Sequence, residues 1–367
     1  MHVVHVINNL PVGGAERFLV GLAAAQQRLQ VGVSVVALTP PLDLAPDLQA
    51  AGVAHTCLRH GNLNDPRLCL DLARFLRRAA PDVVHTHLFY ADTAGRLAAR
   101  WLRVPVVVST EHSTEAGPMS RRRAWTMRWT ARLSDRIVAV SEAVRRAALV
   151  RLGLRDDRIV VIPNGIDVEA WGAATALLRA EVGVGARRFV VGCVGRMVES
   201  KGYDVVLDAL AQCADLDVGL LMVGDGPARH DLQQQAQHLG LGDRVAWLGW
   251  RTDVDRLLKT VDVFAMPSFW EGHSMALLEA MAAGCACLVS DIPELRDTIG
   301  DAGVCVTPGD ASAIAGGLRA LASADLRQRL GAQARQQVTR FSIDTAARRY
   351  VQLYRDLLGS RRSSAPA

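Results

Sequence analysis

Short apolar runs alternate with longer amphipathic stretches along the chain. Runs at 3–7, 33–38, 83–87, 106–110, 137–140 and 159–162 predict buried strands, and the segments between them predict helices. That alternation is the signature of a parallel, doubly wound α/β sheet. It pauses at the turn Ile162-Pro-Asn-Gly-Ile-Asp167 and restarts at Phe189-Val-Val-Gly-Cys-Val-Gly195. Two such domains are expected, over 1–167 and 168–341, which also suits a length of 367 residues. A last helix is expected over 342–358, with Ser342 as its N-cap.

The most informative stretch is 262–284. An apolar run over 261–266 predicts a strand, Pro267 and Gly272 interrupt it, and Ser274 stands where an N-cap belongs. Helix formers follow from Met275, and Gly284 is the stop. Glu271 precedes the helix start and Glu279 lies in its second turn. The free N–H groups between them, from Gly272, His273, Ser274 and Met275 onward, favour a phosphate. A ligand with a hydroxylated group, a diphosphate and a second hydroxylated group fits that order, as a nucleotide-sugar does. The alternative is an ordinary crossover helix with two solvated glutamates. Against it, the carboxyl end of a buried strand is where open α/β sheets bind ligands.

Other candidates line up around this one. Gly195-Arg196, with Lys201 five residues later at a helix start, places two cations at a crevice. Gly13-Gly14 allows close backbone approach at another helix start, without the G-x-G-x-x-G dinucleotide fingerprint. His85 and His87 share one face of a strand, but no third ligand is evident and a metal site is not expected. Asp215-Leu-Asp217 has metal-binding spacing yet precedes a strand, and chance is the better reading. The segment 119–132 is basic and amphipathic: Trp125 and Trp129 share one helix face, and Arg121, Arg128 and Arg132 flank another. It suits either an anionic membrane surface or tryptophans packed inward; no nucleic-acid module accompanies it.

Charge sharpens this picture. The net charge is +5, but residues 1–165 hold 21 Arg and no Lys against 13 acidic residues, or +8. The remainder has 42 − 21 = 21 basic against 37 − 13 = 24 acidic, or −3. The basic first half suggests an anionic surface or acceptor. Seven scattered cysteines without a C-x2-C pair predict no disulfide framework or zinc site, and a reducing cytoplasmic setting. The chain opens directly on a strand, so neither a signal peptide nor a membrane span is expected.

Glu271-Gly-His-Ser-Met-Ala-Leu-Leu-Glu279-Ala-Met-Ala resembles the Glu-x7-Glu signature of retaining glycosyltransferases of the family-4 type, in the GT-B class. Gly195-Arg196 with Lys201-Gly202, the Gly13-Gly14 loop and Pro163-Asn-Gly-Ile-Asp167 resemble further elements of that family. His273 and Ser274 depart from its usual aromatic residue and glycine. The resemblance implies two Rossmann-like domains facing a central cleft, with the last helix packing back on the first domain. It implies that Arg196 and Lys201 hold the donor diphosphate, Glu271 the sugar and Glu279 the ribose, with Trp250 and Arg251 near the base. It also implies that Gly14 faces donor and acceptor, and that His112, favoured over His87, contacts the sugar near the reacting carbon.

The expected function is therefore metal-independent, retaining transfer from a UDP- or GDP-sugar to a glycan acceptor, by front-face displacement. The acceptor is expected to be lipid-linked, in cell-surface polysaccharide assembly, with the enzyme peripheral on the inner membrane face. A GT-B nucleotide-sugar epimerase and a non-catalytic nucleotide-sugar-binding protein are the alternatives. No cofactor beyond the donor is expected.

Overall fold

The computed structural model describes residues 1–65, 67–114, 120–184 and 189–363. The chain forms two units, 1–165 with 343–367, and 166–342. In the first, strands β1 His2–Ile7, β2 Gly32–Ala37, β3 Ala54–Cys57, β4 Val83–His87, β5 Val106–Glu111, β6 Arg136–Ala139 and β7 Ile159–Val161 form one sheet. Its order is β3-β2-β1-β4-β5-β6-β7 and every pairing is parallel. In the second, β8 Phe189–Val194, β9 Val218–Val223, β10 Val245–Gly249, β11 Val263–Met266, β12 Ala286–Ser290 and β13 Gly303–Val306 make a parallel sheet of order β10-β9-β8-β11-β12-β13. These are two Rossmann-like sheets, each with helical crossovers.

Both orders reverse direction once, between β1 and β4 and between β8 and β11. At such a point neighbouring crossovers run to opposite sides, and the loops after the strands part to leave a crevice. The strands beside it, β1, β4, β8 and β11, are buried along nearly their whole length, which is why they read as continuous apolar runs. The edge strands β3 and β13 are half-exposed and short, so their apolar signal is weak.

The last helix, Ile343–Ser363, belongs to the first unit and is longer than expected. Arg28 pairs with Asp344 at 2.7 Å where it crosses the helix Gly14–Arg28. Its own Tyr350 and Tyr354 are fully buried. Among the described residues, no helix is long and apolar enough to cross a membrane.

Candidate functional site

In the second unit Lys201 and Glu271 lie on the loops after β8 and β11, at the switch point. After β8 the chain turns through Gly195 and Arg196 to a short 3-10 turn, Glu199–Lys201. Gly202 follows with φ +61°, and a Cβ there would lie 2.4 Å from the Pro267 carbonyl oxygen. Only glycine fits, and its absent side chain lets the loops after β8 and β11 touch. The Phe269 N–H then donates to the Ser200 carbonyl at 2.8 Å. This lacing sets Lys201 against Glu271, Nζ to Oε1 at 2.5 Å, and Ser268 Oγ donates to the same oxygen at 2.7 Å. The family resemblance places these two charges at different parts of one ligand; in this structure they are in contact.

Arg196 is exposed in the loop after β8. Helix Met275–Ala283 starts at Ser274, whose Oγ accepts from the Leu277 N–H at 3.4 Å, and ends at Gly284 in the left-handed region, as the sequence predicts. Gly272 is half-buried in the loop ahead of that start, and Met275 is the first helical residue. Glu279 is buried one turn in, about 6 Å along the axis from Met275. His273 is buried against the Phe341 ring, 5.1 Å between centroids, and burial lowers its pKa to about 4. Trp250 is exposed after β10, while both ends of the Arg251 guanidinium bind Asp253 at 2.8 and 2.7 Å. Asp215 lies ahead of β9, at the opposite end of that strand from these loops, and pairs with Arg319 at 3.0 Å. It stands apart from the charged cluster, in accord with a chance D-x-D.

In the first unit Gly13 and Gly14 open the helix Gly14–Arg28 directly after β1. Beneath that helix, register pairs His5 of β1 with His85 of β4. Here the structure corrects the sequence reading, which found no third ligand: His5, His85 and His87 lie together, with ligand atoms within 4.8 Å of one another. Their six ring nitrogens are nevertheless all engaged. His5 meets Gln26 at 2.8 Å and His87 at 3.1 Å; His87 meets His112 at 3.2 Å; His85 meets Tyr354 at 2.6 Å and Thr110 at 2.7 Å. A zinc ion needs nitrogens at about 2.0–2.1 Å and would have to displace these bonds. Burial holds His5 and His112 near pKa 4 and His85 and His87 well below 6.5, so all four are neutral at pH 7.

His112 also lines a cavity of about 220 Å³ with Phe89, Asp92, Glu111, Arg123 and Arg151. Leu88 at its rim has φ +71° and ψ 158°, a region that costs a non-glycine residue about 1–3 kcal/mol. Glu111 is 7% exposed; its Oε2 binds Arg151 at 2.6 Å, while its Oε1 and the Arg151 Nε have no partner among the described residues. Asp92 is raised to about pKa 6 by burial, against the pull of Arg96 at 3.3 Å.

Helix Arg121–Ala131 bears on one of the two readings its sequence left open. Met119 lies outside the described residues. Met127, Thr130 and Ala131 face inward. Trp125 and Trp129 are 66% and 47% exposed and stacked, 6.3 Å between centroids. Arg121, Arg122, Arg128 and Arg132 are exposed around them, and Arg123 lies over the Phe89 ring at 4.4 Å. The tryptophans do not pack inward.

Residues 12–170 match the profile described as Glycosyltransferase Family 4, and residues 176–337 match Glycosyl transferases group 1. The UDP-Gal:alpha-D-GlcNAc-diphosphoundecaprenol alpha-1,3-galactosyltransferase of Escherichia coli is 31% identical, over 70% of this chain and 69% of that protein. The phosphatidyl-myo-inositol mannosyltransferase of Mycobacterium leprae is 30% identical, over 93% of this chain and 92% of that protein. Among solved structures, Anabaena HepE in complex with UDP and glucose is similar with a TM-score of 0.87, over 97% of this chain and 100% of that chain at 22% identity. That last likeness bears on the fold.

Proposed function

Because the chain belongs to the family-4 glycosyltransferases, we propose that it is a retaining enzyme that moves a sugar from a UDP-sugar to a lipid-linked acceptor. The observation that carries this is the meeting of Lys201, Arg196, Glu271 and the start of the helix Met275–Ala283 at one sheet switch point. In transfer, the bond from the anomeric carbon to the diphosphate oxygen breaks and a bond to the acceptor oxygen forms on the same face. The acceptor proton passes to a phosphate oxygen of the leaving group. Lys201, Arg196 and the helix N–H groups stabilise the charge that builds on the diphosphate. Glu271 accepts bonds from sugar hydroxyls, Glu279 from the ribose, and His112 meets the transferred sugar. A UDP-sugar donor is supported by the relatives: the named donor of the Escherichia coli enzyme is UDP-Gal, and HepE was solved with UDP.

These cations do the work a divalent ion does in other glycosyltransferases. Transfer should therefore persist in EDTA at an unchanged rate. Loss of activity on chelation, restored by magnesium or manganese, would show that the diphosphate site is misread.

The acceptor reading rests on the first unit. The cavity beside His112 is lined by Glu111 and Arg151, a carboxylate and a guanidinium whose Oε1 and Nε are buried without a partner among the described residues; an acceptor and a donor side by side suit a hydroxyl once the cavity is filled. The relatives' names include a diphosphoundecaprenol-linked sugar and a phosphatidylinositol. Such acceptors lie at a bilayer, and the exposed tryptophans among arginines suit its headgroup region. Each arginine near an anionic surface adds about 1 kcal/mol, so Arg121→Ser with Arg122→Ser should weaken binding to anionic vesicles roughly thirtyfold. Sedimentation with anionic and neutral vesicles at low and high salt reads this. Equal binding to both, or none, would leave a soluble acceptor as the better account.

A further inference from the structure

We propose that Gln26, His5 and His87 are positioning residues for His112: they form a directional hydrogen-bonded relay that holds the His112 ring in its Nε2–H form, with a bare Nδ1. The part His112 plays toward the transferred sugar rests on the function proposed above; the relay itself does not.

The relay is read from four contacts. Gln26 Oε1 meets His5 Nε2 at 2.8 Å, His5 Nδ1 meets His87 Nε2 at 3.1 Å, and His87 Nδ1 meets His112 Nε2 at 3.2 Å. The Gln26 amide nitrogen faces the Tyr354 hydroxyl at 3.4 Å. A neutral imidazole has one donor and one acceptor nitrogen, so a chain of them has a single direction, set at one end. The amide oxygen has no proton to give, so His5 Nε2 carries one. His5 Nδ1 then accepts from His87 Nε2–H, and His87 Nδ1 accepts from His112 Nε2–H. The proton count leaves His112 Nδ1 bare.

The branch from the other end of the amide follows from the same orientation. Its N–H donates to Tyr354, whose own proton goes to His85 Nδ1 at 2.6 Å. His85 Nε2–H then donates to Thr110 Oγ1 at 2.7 Å, and Thr110 to Tyr350 at 3.3 Å. Turning the amide over reverses both branches together and puts a proton on His112 Nδ1. That nitrogen is sealed from water and has no partner among the described residues. In either direction that nitrogen is unmet, so the direction is set by the amide, with Oε1 toward His5 and Nε2 toward Tyr354. Of the eight ring nitrogens of the four histidines, seven are bonded within the protein. The eighth belongs to the one ring that lines the cavity. A purely structural cluster has no reason to leave that atom, rather than any other, open.

The test uses the full chain labelled with nitrogen-15 in histidine. Long-range proton–nitrogen correlation spectra at pH 7 report each tautomer, with the His112 signals assigned by their loss in His112→Gln. Expected are a protonated Nε2 and a bare Nδ1 at His112. A protonated Nδ1, or signals averaged between the two forms, overturns the relay, as would movement of the His5, His85 and His87 signals on adding EDTA, which would mark a metal instead. In Gln26→Leu the His112 signals should average and kcat should fall about tenfold with little change in donor KM. Gln26→Glu, which keeps the acceptor toward His5, should restore both. A fixed tautomer and wild-type rate in Gln26→Leu would also overturn it, and if that variant does not fold, the wild-type spectrum still decides. The expected spectrum together with wild-type transfer by His112→Ala would leave the relay standing and remove the proposed function of His112.

Discussion

Glu271→Ala and Lys201→Ala should each lower sugar transfer by at least about a thousandfold, or about 4 kcal/mol of transition-state stabilisation. Lys201 is the cation fixed at the switch point by the laced loops, and charge accumulates on the diphosphate only as the glycosidic bond breaks. Its loss should therefore appear in kcat as well as in binding. Glu271 holds Lys201 at 2.5 Å and receives Ser268 on the same oxygen. Removing it loses the proposed sugar contact and releases the lysine from its fixed position. The fold should survive both changes: 19% of the Lys201 side chain is exposed, so the ammonium can turn to water. Unchanged circular dichroism with abolished transfer is the expected pair of results. Near wild-type turnover by either variant would remove the site assignment.

The second large effect is on stability in acid. His5, His112 and His273 are held near pKa 4 by burial, against 6.5 for an unperturbed histidine. Between those values the unfolded chain takes up protons that the folded chain refuses. Stability is therefore fully present above pH 6.5 and is lost as pH falls toward 4. Each such group contributes on the order of 3 kcal/mol, and His85 and His87 act in the same direction. Asp92, raised to about 6, and Glu16, also raised by burial, act in the opposite direction, because the folded state holds their protons more tightly. The histidines outnumber them. Urea titrations should show the protein several kcal/mol less stable at pH 4.5 than at pH 7, a large share of an ordinary domain's total. Equal or greater stability at pH 4.5 would mean that these rings are not buried as described.

The sequence predicts the central strands well because strands covered on both faces are apolar throughout, as 83–87 and 106–110 are. Ala54–Cys57 escapes that logic: it is a half-exposed edge strand containing His55 and Thr56. The N-cap at Ser274 and the stop at Gly284 are legible because local backbone chemistry sets them. Contacts made by register and by loop lacing are not. Nothing in the spacing of His5, His85 and Gln26 shows that β1 and β4 pair with His5 opposite His85, or that Gln26 comes to lie beneath its helix against both His5 and Tyr354. Ser268 carries no motif of its own, and its bond to Glu271 appears only with the turn that holds both. Likewise, helical spacing groups Trp125 with Trp129 but does not say which face of that helix meets the sheet.

The central claim is that the second unit binds a nucleotide-sugar through Lys201, Arg196 and Glu279. Isothermal titration of the full chain with UDP and with a panel of UDP-, GDP- and ADP-sugars, in EDTA, tests it most directly. The predicted result is one equivalent of UDP or UDP-sugar bound per chain, weakened at least about tenfold by Lys201→Ala and by Glu279→Ala. No binding by any of these nucleotides, or binding that both substitutions leave unchanged, would contradict it.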